Sequence, residues 1–191
     1  YRVGTSKHWP GSCVFWQTDI NGSIRTGKVM LYDAETGKRV KEPFNHVTWV
    51  HSLLRLPDFN LRQCFFGEHL LPMNRGKPVA IVESEKTALV GAYYLPEYVW
   101  LATGGKNGCF NTDALHVLRG RQVILYPDIG ATDQWRQKLT QLRNLGIEAS
   151  IFNYLEEVAT DNERTAGLDI ADYLLQIEPD QAVLQTMIRK N

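Results

Sequence analysis

Two acidic residues in this chain stand where carboxylates do chemistry rather than packing. Glu83 follows the apolar run Val79-Ala80-Ile81-Val82 at once, and Asp128 follows Val123-Ile124-Leu125-Tyr126-Pro127 in the same way. A carboxylate just past a buried strand is poorly placed for packing and well placed for a ligand. Hard oxygen donors of this kind hold Mg²⁺ while leaving it several waters. Asp169 and Asp172, spaced i, i+3, are the next candidates. All of these acids have a plainer alternative, which is to satisfy the amino-terminal end of the helix that follows. Gly104-Gly105 lets backbone come close to an anion, with Lys106 as a charge beside it. A simple turn has the same composition. The phosphate loop Gly-x-x-x-x-Gly-Lys-[Ser/Thr] is absent, and so is the Gly-x-Ser-x-Gly elbow of nucleophilic hydrolases.

The elements that must position these residues are legible from periodicity. Apolar runs at 79–82, 99–102 and 123–126 each end in a polar or glycine-rich turn, and helical segments at 84–94, 111–118 and 131–145 separate or follow them. That alternation predicts an α/β fold with an open, mainly parallel sheet flanked by helices. Ser84 is a candidate N-cap, and Pro96 stops the first helix. Trp135, Leu139 and Leu142 form an apolar stripe that ends at Gly146, and 147–152 supplies a fourth strand. Residues 156–167 read as a polar loop, 168–175 as a helix start, and Pro179–Arg189 as a terminal helix. Ligands of open α/β sheets sit beyond the carboxyl ends of the strands, so Glu83, the Gly104-Gly105 turn and Asp128 should share one edge.

The amino-terminal part has a different character. Residues 1–12 read as an extended lead-in. Strands are expected at 14–18, 23–27 and 28–32, with Asn21-Gly22 as a hairpin turn and Asp33–Lys38 as another polar turn. This is a β meander whose bases (Arg25, Lys28, Lys38, Arg39, Lys41) interleave with Phe15, Trp16 and Tyr32. Such a face either stacks nucleobases and holds phosphates or is a small core edged by solvated lysines. Residues 59–71 read as a helical connector, and 72–77 as a linker dividing a β-rich basic domain (1–77) from an α/β domain (78–191).

Charge follows that division. Residues 1–77 hold eleven Lys and Arg against six acids, a net +5, which leaves ten against fifteen, a net −5, in 78–191. A basic half beside an acidic half suits a polyanion-binding surface next to a metal-binding one. Cys13, Cys64 and Cys109 lie far apart with no Cys-x-x-Cys pair, which disfavours a zinc ribbon and fits buried thiols in a reducing cytoplasm. His46, His51 and His69 lack metal-ligand spacing. No apolar run reaches the ~18 residues of a membrane span. The chain opens on Tyr1 rather than Met, so a fragment with a functional segment upstream is expected.

Several motifs together carry a family resemblance. Val82-Glu83-Ser84-Glu85-Lys86-Thr87-Ala88-Leu89 resembles the first TOPRIM motif, Gly104-Gly105 stands at that fold's glycine turn, and Leu125-Tyr126-Pro127-Asp128-Ile129-Gly130 resembles its Asp-x-Asp motif. Leu168-Asp169-Ile170-Ala171-Asp172 is similar to the later acidic segment of bacterial-type primases, and the whole chain looks like primase-related TOPRIM proteins of chromosomes and mobile elements. The resemblance implies a TOPRIM-like α/β core in which Glu83 is an acid/base or metal-linked glutamate and Asp128 a metal-binding aspartate. It implies Mg²⁺ or Mn²⁺, nucleotidyl or phosphoryl transfer, single-stranded DNA and nucleoside triphosphates as partners, and a helicase or other replication protein nearby. Lys86, Gly104, Gly105, Lys106, Arg25 and Lys28 would then meet phosphates. Two departures stand out. Ser84 replaces a usual glycine, and Gly130 replaces the second aspartate, for which Asp133, Asp169 or Asp172 would have to substitute. The alternatives are a TOPRIM metal-dependent nuclease, a non-catalytic nucleic-acid-binding module with a degenerate metal site, and an α/β domain that binds neither.

Overall fold

Two four-stranded sheets, one antiparallel and one parallel, make up the computed structural model, which describes residues 1–105 and 108–178. The antiparallel sheet runs in the order β1 (Val3–Ser6), β2 (Ser12–Thr18), β3 (Ile24–Met30), β4 (Val47–Trp49), followed by the short α1 (Val50–Leu54). The lead-in is therefore partly a strand, since β1 pairs with β2 from Val3↔Phe15 to Ser6↔Ser12. The two strands expected at 23–27 and 28–32 are one continuous β3, because its ladder to β2 runs unbroken from Thr26 to Met30.

The parallel sheet is built from β5 (Val79–Val82), β6 (Val99–Ala102), β7 (Gln122–Leu125) and β8 (Glu148–Ile151), in the order β6-β5-β7-β8. All three pairings are parallel. Helices α2 (Glu85–Tyr94), α3 (Thr112–Leu115) and α4 (Thr132–Asn144) connect them. After β8 come α5 (Tyr154–Val158), α6 (Asp161–Ala166) and α7 (Ile170–Leu174). The polar loop expected at 156–167 is thus largely helical. Thr160 and Glu163 close a reciprocal capping box that starts α6. The terminal helix expected from Pro179 lies outside the described residues.

Both faces of the parallel sheet are buried, as such sheets require. Val79 and Ile81 of β5 pack in one cluster with Phe65, Leu115, Leu125, Trp135 and Leu142. Ala80 and Val82, pointing the other way, pack with Phe15, Met30, Phe66, Trp100 and Ile170. The second cluster takes side chains from both sheets, so they share a core. Phe15, an expected stacking residue, is only 3% exposed and lies edge-on to Phe66 and Tyr32. Phe65 and Phe66 do not belong to a helical connector. Phe66 instead exchanges backbone hydrogen bonds of 3.0 and 3.1 Å with Ala102 and extends the β6 edge, and only Glu68–Leu70 forms a helical turn. No helix among the described residues is long and apolar enough to cross a membrane.

Close approach requires a glycine at Gly91. Gly91 of α2 lies against the indole of Trp100, and an added Cβ would stand 2.5 Å from that ring. Gly91→Ala is expected to lower stability by about 1–3 kcal/mol through overpacking, read as a lower denaturant midpoint with an unchanged m-value.

Candidate active site

The order β6-β5-β7-β8 places a switch point between β5 and β7. The connection from β5 leaves toward β6 on one side, and that from β7 leaves toward β8 on the other. Crevices for ligands open at such points, outside the carboxyl ends of the strands. Glu83 is the first residue after β5 and Asp128 follows β7 after a Tyr126-Pro127 step. With Ile81 paired to Leu125, the register brings the two acids side by side. Glu83, Asp128, Asp169 and Asp172 all line one cavity of about 520 Å³.

Local structure fixes each of these side chains. Ser84 caps α2 by accepting a hydrogen bond from the Thr87 amide, which orients the turn carrying Glu83. The amides of Gly104 and Gly105 both donate to the Glu83 carbonyl at 3.1 Å. Those amides are spent on positioning Glu83, and the turn does not offer them to a phosphate. Asp169 is the N-cap of α7 and takes part in a capping box with Asp172. Its other oxygen accepts the Thr87 hydroxyl at 2.5 Å, tying α7 to α2. The plain capping role and the cavity position therefore coexist in Asp169 and Asp172.

The carboxylates disturb one another. Burial first, and then Asp169, Glu83 and Asp172, push the Asp128 carboxyl up to about 7. Burial also raises Asp169, partly offset by the Thr87 hydroxyl. Behind the acidic edge, Lys138 of α4 is 9% exposed, with its ammonium 4.0 Å over the Trp135 ring and 5.2 Å over Phe110. Burial lowers its pKa, while Glu83, Cys109 and Asp128 draw it back up.

The same cavity is also lined by bases. Lys38, Arg39 and Lys41 from the loop after β3 line the cavity, as does Lys86 of α2. Lys28 lines it too, but its ammonium is 8% exposed and committed, 3.1 Å from Glu85 and 2.9 Å from the Gly104 carbonyl. Glu85 was not a sequence candidate, and the signal available for it was its place two residues after Glu83.

Two expected residues lie elsewhere. Asp133 is 92% exposed and paired with Arg136 at 2.7 Å, because Trp135 and Leu139 turn the opposite face of α4 inward. It does not replace the missing aspartate. Arg25 pairs with Asp19 and lines a separate cavity of about 300 Å³. Lys106 falls outside the described residues. At Gly130 the backbone φ is +83°, a conformation that strains any aspartate placed there. The carboxylate beside it is Glu156, which accepts the Gly130 amide at 2.7 Å and pairs with Arg164.

Among the described residues no three acidic, imidazole or thiol groups converge tightly enough to enclose one ion. The donor set still fits Mg²⁺ or Mn²⁺. These ions take one or two carboxylates and complete their shell with water and substrate phosphate, and mutual repulsion at Asp128 is relieved by a cation.

The fold is that of a bacterial primase core. The chain is similar to the RNA polymerase domain of Mycobacterium tuberculosis primase DnaG, at 12% identity and TM-score 0.54 over 96% of this chain and 58% of that one. The same domain in complex with double-stranded DNA matches at 12% identity and TM-score 0.57, over 98% and 57%. The E. coli primase catalytic core matches at 14% identity and TM-score 0.52, over 91% and 60%. The chain thus spans less than two thirds of the length of these relatives, and at such identities the likeness is one of fold. No curated protein sequence matches it. Residues 1–129 match the family described as a domain of unknown function (DUF6371), and the chain belongs to that family.

Two outcomes test the site's electrostatics. A carboxyl whose pKa is raised by folding binds its proton more tightly in the native state, so stability is full below about pH 4 and falls as pH rises toward 7. Asp128→Asn should therefore melt higher than wild type at pH 8 without metal, and the two should converge near pH 4. Lys28→Met leaves Glu85 buried without its cation and should cost about 3–5 kcal/mol, much of it recovered in Lys28→Met/Glu85→Met. Thermal or denaturant unfolding reads both.

Proposed function

We propose that this chain is a primase-like TOPRIM core that carries out metal-dependent nucleotidyl transfer on single-stranded DNA. One observation carries the reading. Glu83 and Asp128 leave adjacent strands at the sheet's switch point and line one cavity together with Lys38, Arg39 and Lys41. Acids and bases in one cavity suit a nucleoside triphosphate held between a divalent cation and lysine or arginine side chains.

In this reading Asp128 and Glu83 would hold Mg²⁺ or Mn²⁺, with Asp172 lining the same cavity. The bound cation supplies neutralisation of phosphate charge and activation of the attacking hydroxyl. Lys38, Arg39, Lys41 and Lys86 neutralise and orient the triphosphate tail, while Lys28 keeps the Gly104 turn and the Glu83 carbonyl in place. Alternatively, Glu83 would accept the proton of the attacking hydroxyl, the acid/base role that the resemblance implies for it. Asp169 positions α7 rather than contacting substrate. The protein would work in the cytoplasm beside a helicase or other replication proteins.

A second reading rests on Gly130. With φ +83° there and Glu156 engaged by Arg164, the Asp-x-Asp motif keeps one acid, which favours a nucleic-acid-binding module with a degenerate metal site.

Primer synthesis on single-stranded DNA with Mg²⁺ or Mn²⁺ separates the two. Glu83→Gln and Asp128→Asn should each lower synthesis at least about a hundredfold, the loss typical of a removed electrostatic group at a reacting centre, with the fold intact. Equal activity in wild type and both variants would sink the catalytic reading. Carboxylate-dependent nicking without nucleotides would instead assign a nuclease. Salt-dependent DNA binding alone, unchanged in both variants, would establish the binding module.

A further inference from the structure

A group of aromatic and imidazole rings gathers where the β1–β2 connection meets the segment before β4. Phe44 is 54% exposed and stacks on His46, with ring centroids 4.2 Å apart and planes at 22°. Trp9 stands edge-on to His46 at 5.2 Å and 6.4 Å from Phe44, and His8 lies 4.5 Å from Trp9.

This patch is hydrogen-bonded to the basic wall of the acidic cavity. The His46 amide donates to the Val40 carbonyl at 3.2 Å, and the Leu31 amide donates to the His46 carbonyl at 3.1 Å. Val40 sits between Arg39 and Lys41, both of which line the cavity. Of the acids in the same loop, Asp33 is occupied by the amide and hydroxyl of Thr36. The rings are thus tied through the backbone to the loop whose Arg39 and Lys41 share a cavity with the acids.

We infer that Trp9, Phe44 and His46 form a stacking platform that grips a single-stranded nucleic acid and leads it past Arg39 and Lys41 to the acidic cavity. Aromatic rings beside cations, one of them the exposed Phe44, are the chemistry that holds unpaired bases and their backbone. A protein partner fits less well, because a handful of rings offers far less than the ~800 Å² per side that a stable protein interface buries. The inference rests on the proposed action on single-stranded DNA and adds where the strand enters.

The test is fluorescence anisotropy of the full chain with labelled oligothymidylate, oligouridylate and a DNA duplex. Phe44→Ala and Trp9→Ala should each weaken oligothymidylate binding roughly tenfold, with Mn²⁺ binding, melting temperature and duplex binding unchanged. Phe44→Tyr should restore the affinity. A matching loss with oligouridylate shows that the platform reads stacking alone, and a loss confined to one of the two probes assigns it to DNA or to RNA. Wild-type affinity in a folded Phe44→Ala/Trp9→Ala variant overturns the platform and leaves the proposed function standing. So does a change of oligomeric state with affinity unchanged, which would make the patch a contact between copies. A wild-type chain that binds no single strand overturns both.

Discussion

The ammonium of Lys28 joins the two sheets at a single buried point, and the site depends on that junction. It reaches from β3 to the Glu85 carboxylate and to the carbonyl of Gly104. Gly104 in turn donates its amide to the carbonyl of Glu83. A short chain of bonds therefore runs from the antiparallel sheet through the glycine turn to the strand end that presents the acid. A lysine so placed cannot be left without its carboxylate, because an uncompensated buried charge is costly. The register of β3 against the parallel sheet is correspondingly restricted. Glu85 keeps one oxygen without a hydrogen-bond partner among the described residues, so the pair specifies an arrangement more than it maximises stability.

The acidic cavity shows the opposite balance. Glu83, Asp128, Asp169 and Asp172 share it, and burial together with their mutual repulsion favours the protonated form of Asp128. Lys138 lies on the far side of the edge, held under the rings of Trp135 and Phe110, and moderates the repulsion without entering the cavity. Asp169 and Asp172 each serve a helix cap as well, which holds them in place while like charges push them apart. Like charges gathered in this way favour a bound cation or a proton. The left-handed backbone at Gly130 means that the motif's second position differs in conformation as well as in side chain, with Glu156 bonded to its amide from another element.

What was legible along the chain was what local physics decides. The Ser84 cap, the Trp135–Leu139–Leu142 stripe and the end of α4 before Gly146 follow from short-range bonding and helical period. The strand-turn-helix alternation around Glu83 and Asp128 follows in the same way. Asp133, a candidate from the sequence, stands two positions before Trp135 and so lies on the other face of α4. Segments without a local signature were not legible. The strand β1 is half-exposed and exists through pairing with β2, the 59–66 segment is defined by the Phe66–Ala102 bridge, and α5 and α6 are short and polar.

By itself the sequence determined the α/β class, the two acids at strand ends and the glycine turn at Gly130, because each is a matter of residue type at a period or a turn. Only the tertiary structure decided which charges are free to meet a ligand. Lys28 and Arg25 look alike as bases in a meander, yet one is locked to Glu85 and the other to Asp19. Phe15 looks like a stacking residue and is core, while Phe44 faces solvent. Such outcomes turn on which distant group arrives at 3 Å, and that is settled by the packing of the two sheets rather than by any local preference.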